Sequence, residues 1–572
     1  MKHKRKCLQM IYMPITHHFL DTPSLATSTI GRCSGSLSHH RTICSSMSYR
    51  RQNSRKSVIV FLFFSITLLY TTQILLIESV SHSLLSSSLS ESSASFFVSS
   101  SLKRRSLLSE PLRPLARLSL VPSSSLSSSS SSSANSSRFC PVWSKGAGST
   151  NSSQSQLYRP NPCVCYGAEA TGIFLECRTA TLHQVNTTLT HLSTFGDALR
   201  TFTIYKLNTT SQIHSLPSRM FENLSGLSEL HISSTNLTDL GTESTYAGLE
   251  ESLSTLSFVN SLLTNVPKSS IGRLRALQSL DLQSNRIASL DSYAFYGLPL
   301  RTLNLQGNRL ENLHEFAFGG LENSLEELSL ISNRLANFPL VSLRRLRKLH
   351  TLKLQSNLIV QIPDDGFTRL TVLETLDLAS NQIRHLTARS FVTMPKLRTL
   401  YASNNLLSVV SDSSVFASLH QLETLDLSLN RLRVVNLDGL ESIRTLDLSN
   451  NHLHDLRLHG MIGLRELFAP HNNILRLLNE TFANTEGVEV LYLQHNAIHS
   501  ILYNALHGLR HLRTLDLSWN QLRSLHSSLF KFNARLESLY LDNNLITDSG
   551  IEAGIFQELV SNDQNFFLFY LF

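Results

Sequence analysis

Catalysis and ligand binding need polar side chains at fixed spacing, and the chain offers several such types. It holds 23 histidines among 572 residues. His314, His350, His385 and His495 are read as members of loops and outer turns, without the paired spacing of metal ligands. Serine is abundant, yet no G-x-S-x-G elbow accompanies it, and no glycine-rich phosphate loop appears. The expectation is a non-enzyme with no catalytic residue, no cofactor and no metal. Four cysteines carry covalent chemistry of another kind. Cys140, Cys163, Cys165 and Cys177 follow an export-like segment, where disulfides form, and three connectivities are open to them. Sequons at Asn135, Asn151, Asn186, Asn208, Asn223, Asn236 and Asn479 point to glycosylation on the same exported side.

The most regular polar residue is asparagine. It recurs at Asn285, Asn308, Asn333, Asn357, Asn381, Asn405, Asn430, Asn451, Asn472, Asn496, Asn520 and Asn544, mostly 24 residues apart, inside the pattern LxxLxLxxNxL. An Asn amide both donates and accepts, so one at each turn can satisfy backbone groups of neighbouring coils and form a ladder. Leu207, Thr235 and Ser261 hold the ladder position in three degenerate copies, giving about fifteen repeats. In LDLQSN (280–285) leucines alternate with polar residues, the period of a short strand with one buried face. Ten residues past the ladder, Phe295, Phe318, Phe367, Phe391, Phe482 and Phe530 are placed to fill the space under each returning segment. No such coil closes its own core, so stability must come from its neighbours.

The sequences LETLDLASNQI (373–383) and LRTLDLSWNQL (512–522) resemble the extracellular leucine-rich-repeat family, in particular the chaoptin, artichoke, slit and Toll ectodomain group. The resemblance implies an α/β solenoid, a horseshoe with a parallel β-sheet on its concave face, closed by an N-terminal disulfide cap. It implies the pairing Cys140–Cys165 and Cys163–Cys177, although the insertion between the first two cysteines is longer than usual. The expected organisation is a basic leader (1–56), of which 1–46 precede Met47 and are read as outside the mature protein. Then follow a signal peptide or signal anchor (57–77), a Ser-rich disordered linker (78–139), the cysteine cap (140–178), the repeats (179–550) and an uncapped, truncated C-terminus (551–572).

Charge divides the chain. Residues 1–139 carry +12 of a total +8, leaving −4 for residues 140–572, so the basic balance belongs to the leader and no nucleic-acid partner is expected. On the strands, residues between the leucines face the concave side. That column holds aspartates, read as a common feature of L-D-L, and the aromatics Tyr401, Phe468, Tyr492 and Tyr540, read as partner-binding anchors. Two repeats of 21 residues between Asn430 and Asn472 carry Phe468, Pro470 and His471, an irregularity expected near a partner site. The expected function is recognition of a protein ligand, or of a cell-surface or matrix protein, with homophilic contact among the options. The location is extracellular, secreted or at the cell surface, with membrane attachment through 57–77 or a missing C-terminal anchor. A secreted carrier similar to the acid-labile subunit of growth-factor complexes is the alternative, and a Toll-like receptor fragment the third.

Overall fold

The computed structural model describes residues 162–572, apart from 169–171, 194–195, 209–213, 364–369, 438, 459, 558, 560–566 and 570–572. The leader, segment 57–77, the linker, Cys140, Asn135, Asn151 and Phe367 lie outside the described residues.

Alternation of leucine with polar residues makes the strands short, most of them three residues with the middle leucine buried and its two neighbours half-exposed. Leucine stacks on leucine in register: Leu352 pairs with Leu376, then Leu400, Leu425, Leu446, Leu467, Leu491, Leu515 and Leu539. Each buried leucine contributes about 1.5–3 kcal/mol. From Leu199–Ile204 to Ser538–Tyr540, fifteen strands pair in parallel as members of one 18-stranded sheet. The sheet is a solenoid, each coil packed against the coils before and after it. It continues past residue 550, where the sequence reading ended the repeats, because Phe567–Phe569 adds a further parallel strand to Ser538–Tyr540.

At the N-terminal end Cys163–Ala168 lies antiparallel to Gly172–Cys177, which hands over to the parallel sheet at Leu199–Ile204. The helix Leu182–Leu192 follows. Thr181 starts it as a capping box, its hydroxyl accepting from the Gln184 N–H while the Gln184 side chain accepts from the Thr181 N–H. Elsewhere the described helices are single turns such as Lys268–Ile271 and Leu340–Leu343, so the return segments are built from turns.

All twelve ladder asparagines bond alike. Asn381 donates through Nδ2 to the carbonyls of Leu354 in the preceding coil and Leu378 in its own, and its Oδ1 accepts from the Ile359 N–H. Behind them runs a spine of buried rings, with Phe295 on Phe318 at 6.4 Å and Phe391 on Phe416 at 5.9 Å between centroids.

The turn into the ladder requires a left-handed backbone. Fourteen residues, one before each ladder position from Ser234 to Asn543, have φ between +52° and +67°. Ten are Ser, Asn or Gly, and the exceptions are Leu429, His471, His495 and Trp519.

Candidate recognition face

The two half-exposed residues of each strand, with the two that follow the second leucine, make the open face of the sheet. Their neighbours across strands are fixed by the register. Asp377 pairs with Tyr401 and Tyr401 with Asp426; Asp426 pairs with Asp447 and Asp447 with Phe468; Tyr492 pairs with Asp516 and Asp516 with Tyr540. Every ring in this column therefore sits beside a carboxylate. Phe468 and Tyr492 stack at 5.4 Å between centroids. Burial, then Tyr540, Asp516 and Glu466 in turn, hold the Tyr492 hydroxyl above its ordinary pKa.

A second row of rings runs along the edge of this face. His471 stacks on His495 at 4.4 Å and His495 on Trp519 at 5.1 Å. Trp519 is 53% exposed, as is Leu429 in the same row. Placing a bulky side chain in the left-handed region costs about 1–2 kcal/mol each. Strain of this kind concentrates at functional sites, and here it falls on three stacked rings and one exposed leucine. His495, read from the sequence as an outer-turn residue, is thus corrected to the edge of the sheet face. The signal was present in the column before the ladder Asn, where Ser and Asn give way to His, His and Trp, but its meaning depended on the backbone conformation.

The aspartates have a structural task. Oδ1 of Asp377, Asp426, Asp447 and Asp516 accepts from the backbone N–H two residues on, at 2.8–2.9 Å, which fixes the exit from the strand. Asn304 makes the same bond to the Gln306 N–H at 3.0 Å, so the turn does not require a charge. The charge costs stability, because burial raises the Asp447 carboxyl to about 6, against bonds from Ser449 that lower it. Asp377 is raised for the same first reason, with Asp426 adding to it and Lys353 opposing.

Beside the face, the residue preceding each strand forms a row of ion pairs. Arg398 meets Glu423 at 3.2 Å, Glu423 meets Arg444 at 3.5 Å, Arg465 meets Glu489 at 3.3 Å, and Arg513 bridges Glu489 and Glu537. Exposed pairs stabilise little, but they cancel the charge of this row.

The other expected sites are placed as follows. Cys163 is bonded to Cys177, and Cys165 is also disulfide-bonded. Asn186, Asn208, Asn223, Asn236 and Asn479 are exposed. Among the described residues no group of three His, Cys, Asp or Glu is placed to hold a metal ion, and no helix is long and apolar enough to cross a membrane. A cleft of about 820 Å³ near Tyr296 is lined by Asp239, Glu243, Lys268 and Arg273, and Arg273 is already paired with Glu243.

Comparison with known proteins agrees with this geometry. The leucine rich repeat model matches residues 251–310, 299–359, 347–407, 403–453, 462–522 and 510–561, and the model of the BspA type leucine rich repeat region matches 171–270. Fibromodulin of Sus scrofa and fibromodulin of Oryctolagus cuniculus are each 43% identical over 74 residues, 13% of this chain and 48% of the relative. The chain thus spans about half the length of the curated relatives it matches. The glycosylated Toll–Spatzle complex of Drosophila aligns with a TM-score of 0.55 at 18% identity, covering 66% of this chain and 55% of that one, a likeness of fold. Repeat models over more than half of the residues, and coils stacked in register, establish that the chain belongs to the leucine-rich repeat family.

Proposed function

We propose that this protein recognises a protein partner outside the cell, through the open sheet face of residues 375–543, as an adhesion molecule or receptor ectodomain at the cell surface or in the matrix. Leucine-rich-repeat solenoids are interaction scaffolds rather than catalytic frameworks, and function lies in what the fold displays. The observation that carries the reading is the double row of rings on a polar face: Phe468 on Tyr492, and His471 on His495 on Trp519. Aromatic anchors grouped on a rigid element are what interfaces use for affinity. Disulfides and exposed sequons support placement on the exported side. The Toll chain that shares this fold is seen in complex with Spatzle, which supports a protein ligand here as well.

The test is retention of the full chain on cells and matrix of its own tissue. Replacing Tyr401, Phe468 and Tyr492 together by Ser should cut retention at least tenfold while secretion and circular dichroism are unchanged. Undiminished retention removes the proposal. Recovery of the wild-type chain only as a free species in the medium favours the carrier instead.

A further inference from the structure

The four columns of the open face between Thr375 and Asn543 hold Asp377, Asp426, Asp447, Glu466, Asp516 and Asp542, and no lysine or arginine. In the row before the strands Arg398, Arg444, Arg465 and Arg513 are each matched to a glutamate, and Arg384, Arg431, Arg433 and Arg523 lie past the ladder, outside the four columns. The face itself therefore carries six carboxylates and no cation. The preceding strands differ. Between Thr255 and Lys353 they present no aromatic ring on this face, and their one cation, Lys353, is bonded to Glu327 at 2.8 Å. Acid and ring thus occur together, in the same coils that hold Leu429, His471, His495 and Trp519 in left-handed backbone.

We infer that this face receives an arginine-bearing segment of the protein partner, its guanidinium groups lying on Tyr401, Phe468, Tyr492 and Trp519 and bonding the carboxylates beside them. The inference rests on the recognition role proposed above and names the chemistry of its partner. A guanidinium is planar, stacks on an aromatic ring and donates its N–H groups to a carboxylate oxygen. Each half of that demand is met within one strand spacing, as at Tyr401 between Asp377 and Asp426, or Tyr492 beside Asp516. The carboxylates use Oδ1 for their own turns, and among the described residues Oδ2 of Asp377, Asp426, Asp447 and Asp516 makes no hydrogen bond, leaving it for the guanidinium. A polyanion such as a nucleic acid would meet six carboxylates and no cation. Seven strand intervals of about 4.8 Å span about 34 Å, the length of roughly ten extended residues.

The experiment measures fluorescence anisotropy of labelled ten-residue peptides on the full chain at physiological salt, with Arg-Ser, Lys-Ser and Glu-Ser alternations. The Arg-Ser peptide should bind, the Lys-Ser peptide several-fold more weakly, and the Glu-Ser peptide not at all. D426N/D447N/D516N should weaken Arg-Ser binding at least tenfold, and Asn304 shows that Asn keeps the turn bond. D455N/E480Q/E486Q removes as many charges from exposed positions on the return segments and should change nothing. Equal losses in the two triple variants, or none in the first, overturn the inference. Should the Tyr401, Phe468 and Tyr492 replacement abolish tissue retention while D426N/D447N/D516N leaves it intact, the recognition face stands and the cationic partner falls. Loss of retention in both supports both.

Discussion

Asp447→Asn should make the protein more stable at neutral pH, although it removes a charge from the face proposed to bind. Burial moves this carboxyl from an ordinary 3.8 to about 6. At about 1.36 kcal/mol per pH unit, holding it ionised in the folded chain costs about 3 kcal/mol at most. The sign follows from linkage. A group whose folded pKa is raised contributes fully below its unfolded pKa, and that contribution is lost as pH climbs through the folded value. The wild type should therefore lose up to about 3 kcal/mol between roughly pH 4 and pH 7 relative to the Asn variant, and the two should converge at the acid end. Asn keeps the Oδ1 acceptor for the Ser449 N–H and hydroxyl. A long repeat array need not unfold in one step, so the assay is local. Hydrogen exchange at the Leu427 and Leu448 amides, which donate to Asp447 and Phe468 carbonyls at 2.8 and 2.7 Å, is followed from pH 4 to 7.5. A variant no better protected at pH 7.5 than at pH 4, relative to wild type, would refute the reasoning. If it holds, the chain keeps a carboxylate that weakens its fold, a trade expected where binding needs the charge.

Other outcomes test the frame around the face. Asn381→Ala orphans the Ile359 N–H, while the Leu354 and Leu378 carbonyls keep bonds from Asn357 and Asn405. The loss should be about 1–3 kcal/mol, read by hydrogen exchange at amides of the flanking coils. Gly226→Ala would drive its new carbon into the Asp197 carbonyl oxygen of the neighbouring coil, so the yield of folded chain should collapse in an expression assay. Cys163→Ser with Cys177→Ser opens a link between residues 14 apart and should lower stability by about 3 kcal/mol, measured by melting without reductant.

How far the sequence reached can be followed residue by residue. Leucine and asparagine placed the strands and ladder because both act through short-range rules, one a period of two and the other a fixed turn. The buried rings were legible for the same reason, since Phe295 and Phe318 recur at constant offset from the ladder. Tyr401, Phe468, Tyr492 and Tyr540 could be named, but not their pairing with carboxylates, which depends on register between coils some two dozen residues apart. His495 and Trp519 were missed because only the positive φ of that column turns a run of unremarkable letters into a row. The strand at Phe567–Phe569 keeps the column leucine, Leu568 in register with Leu539, but it follows that leucine by 29 residues instead of about 24, so the period did not announce it.

Stacking in an unbroken file also governs how the molecule comes apart. An inner coil such as the one carrying Asp447 is gripped by partners on two sides. Fraying should start where that grip is one-sided and advance by whole turns of chain. Under a protease in mild denaturant, such a file erodes in steps rather than vanishing at once. Its digestion products should differ by roughly one repeat, so the gel itself would display the period written in the leucines.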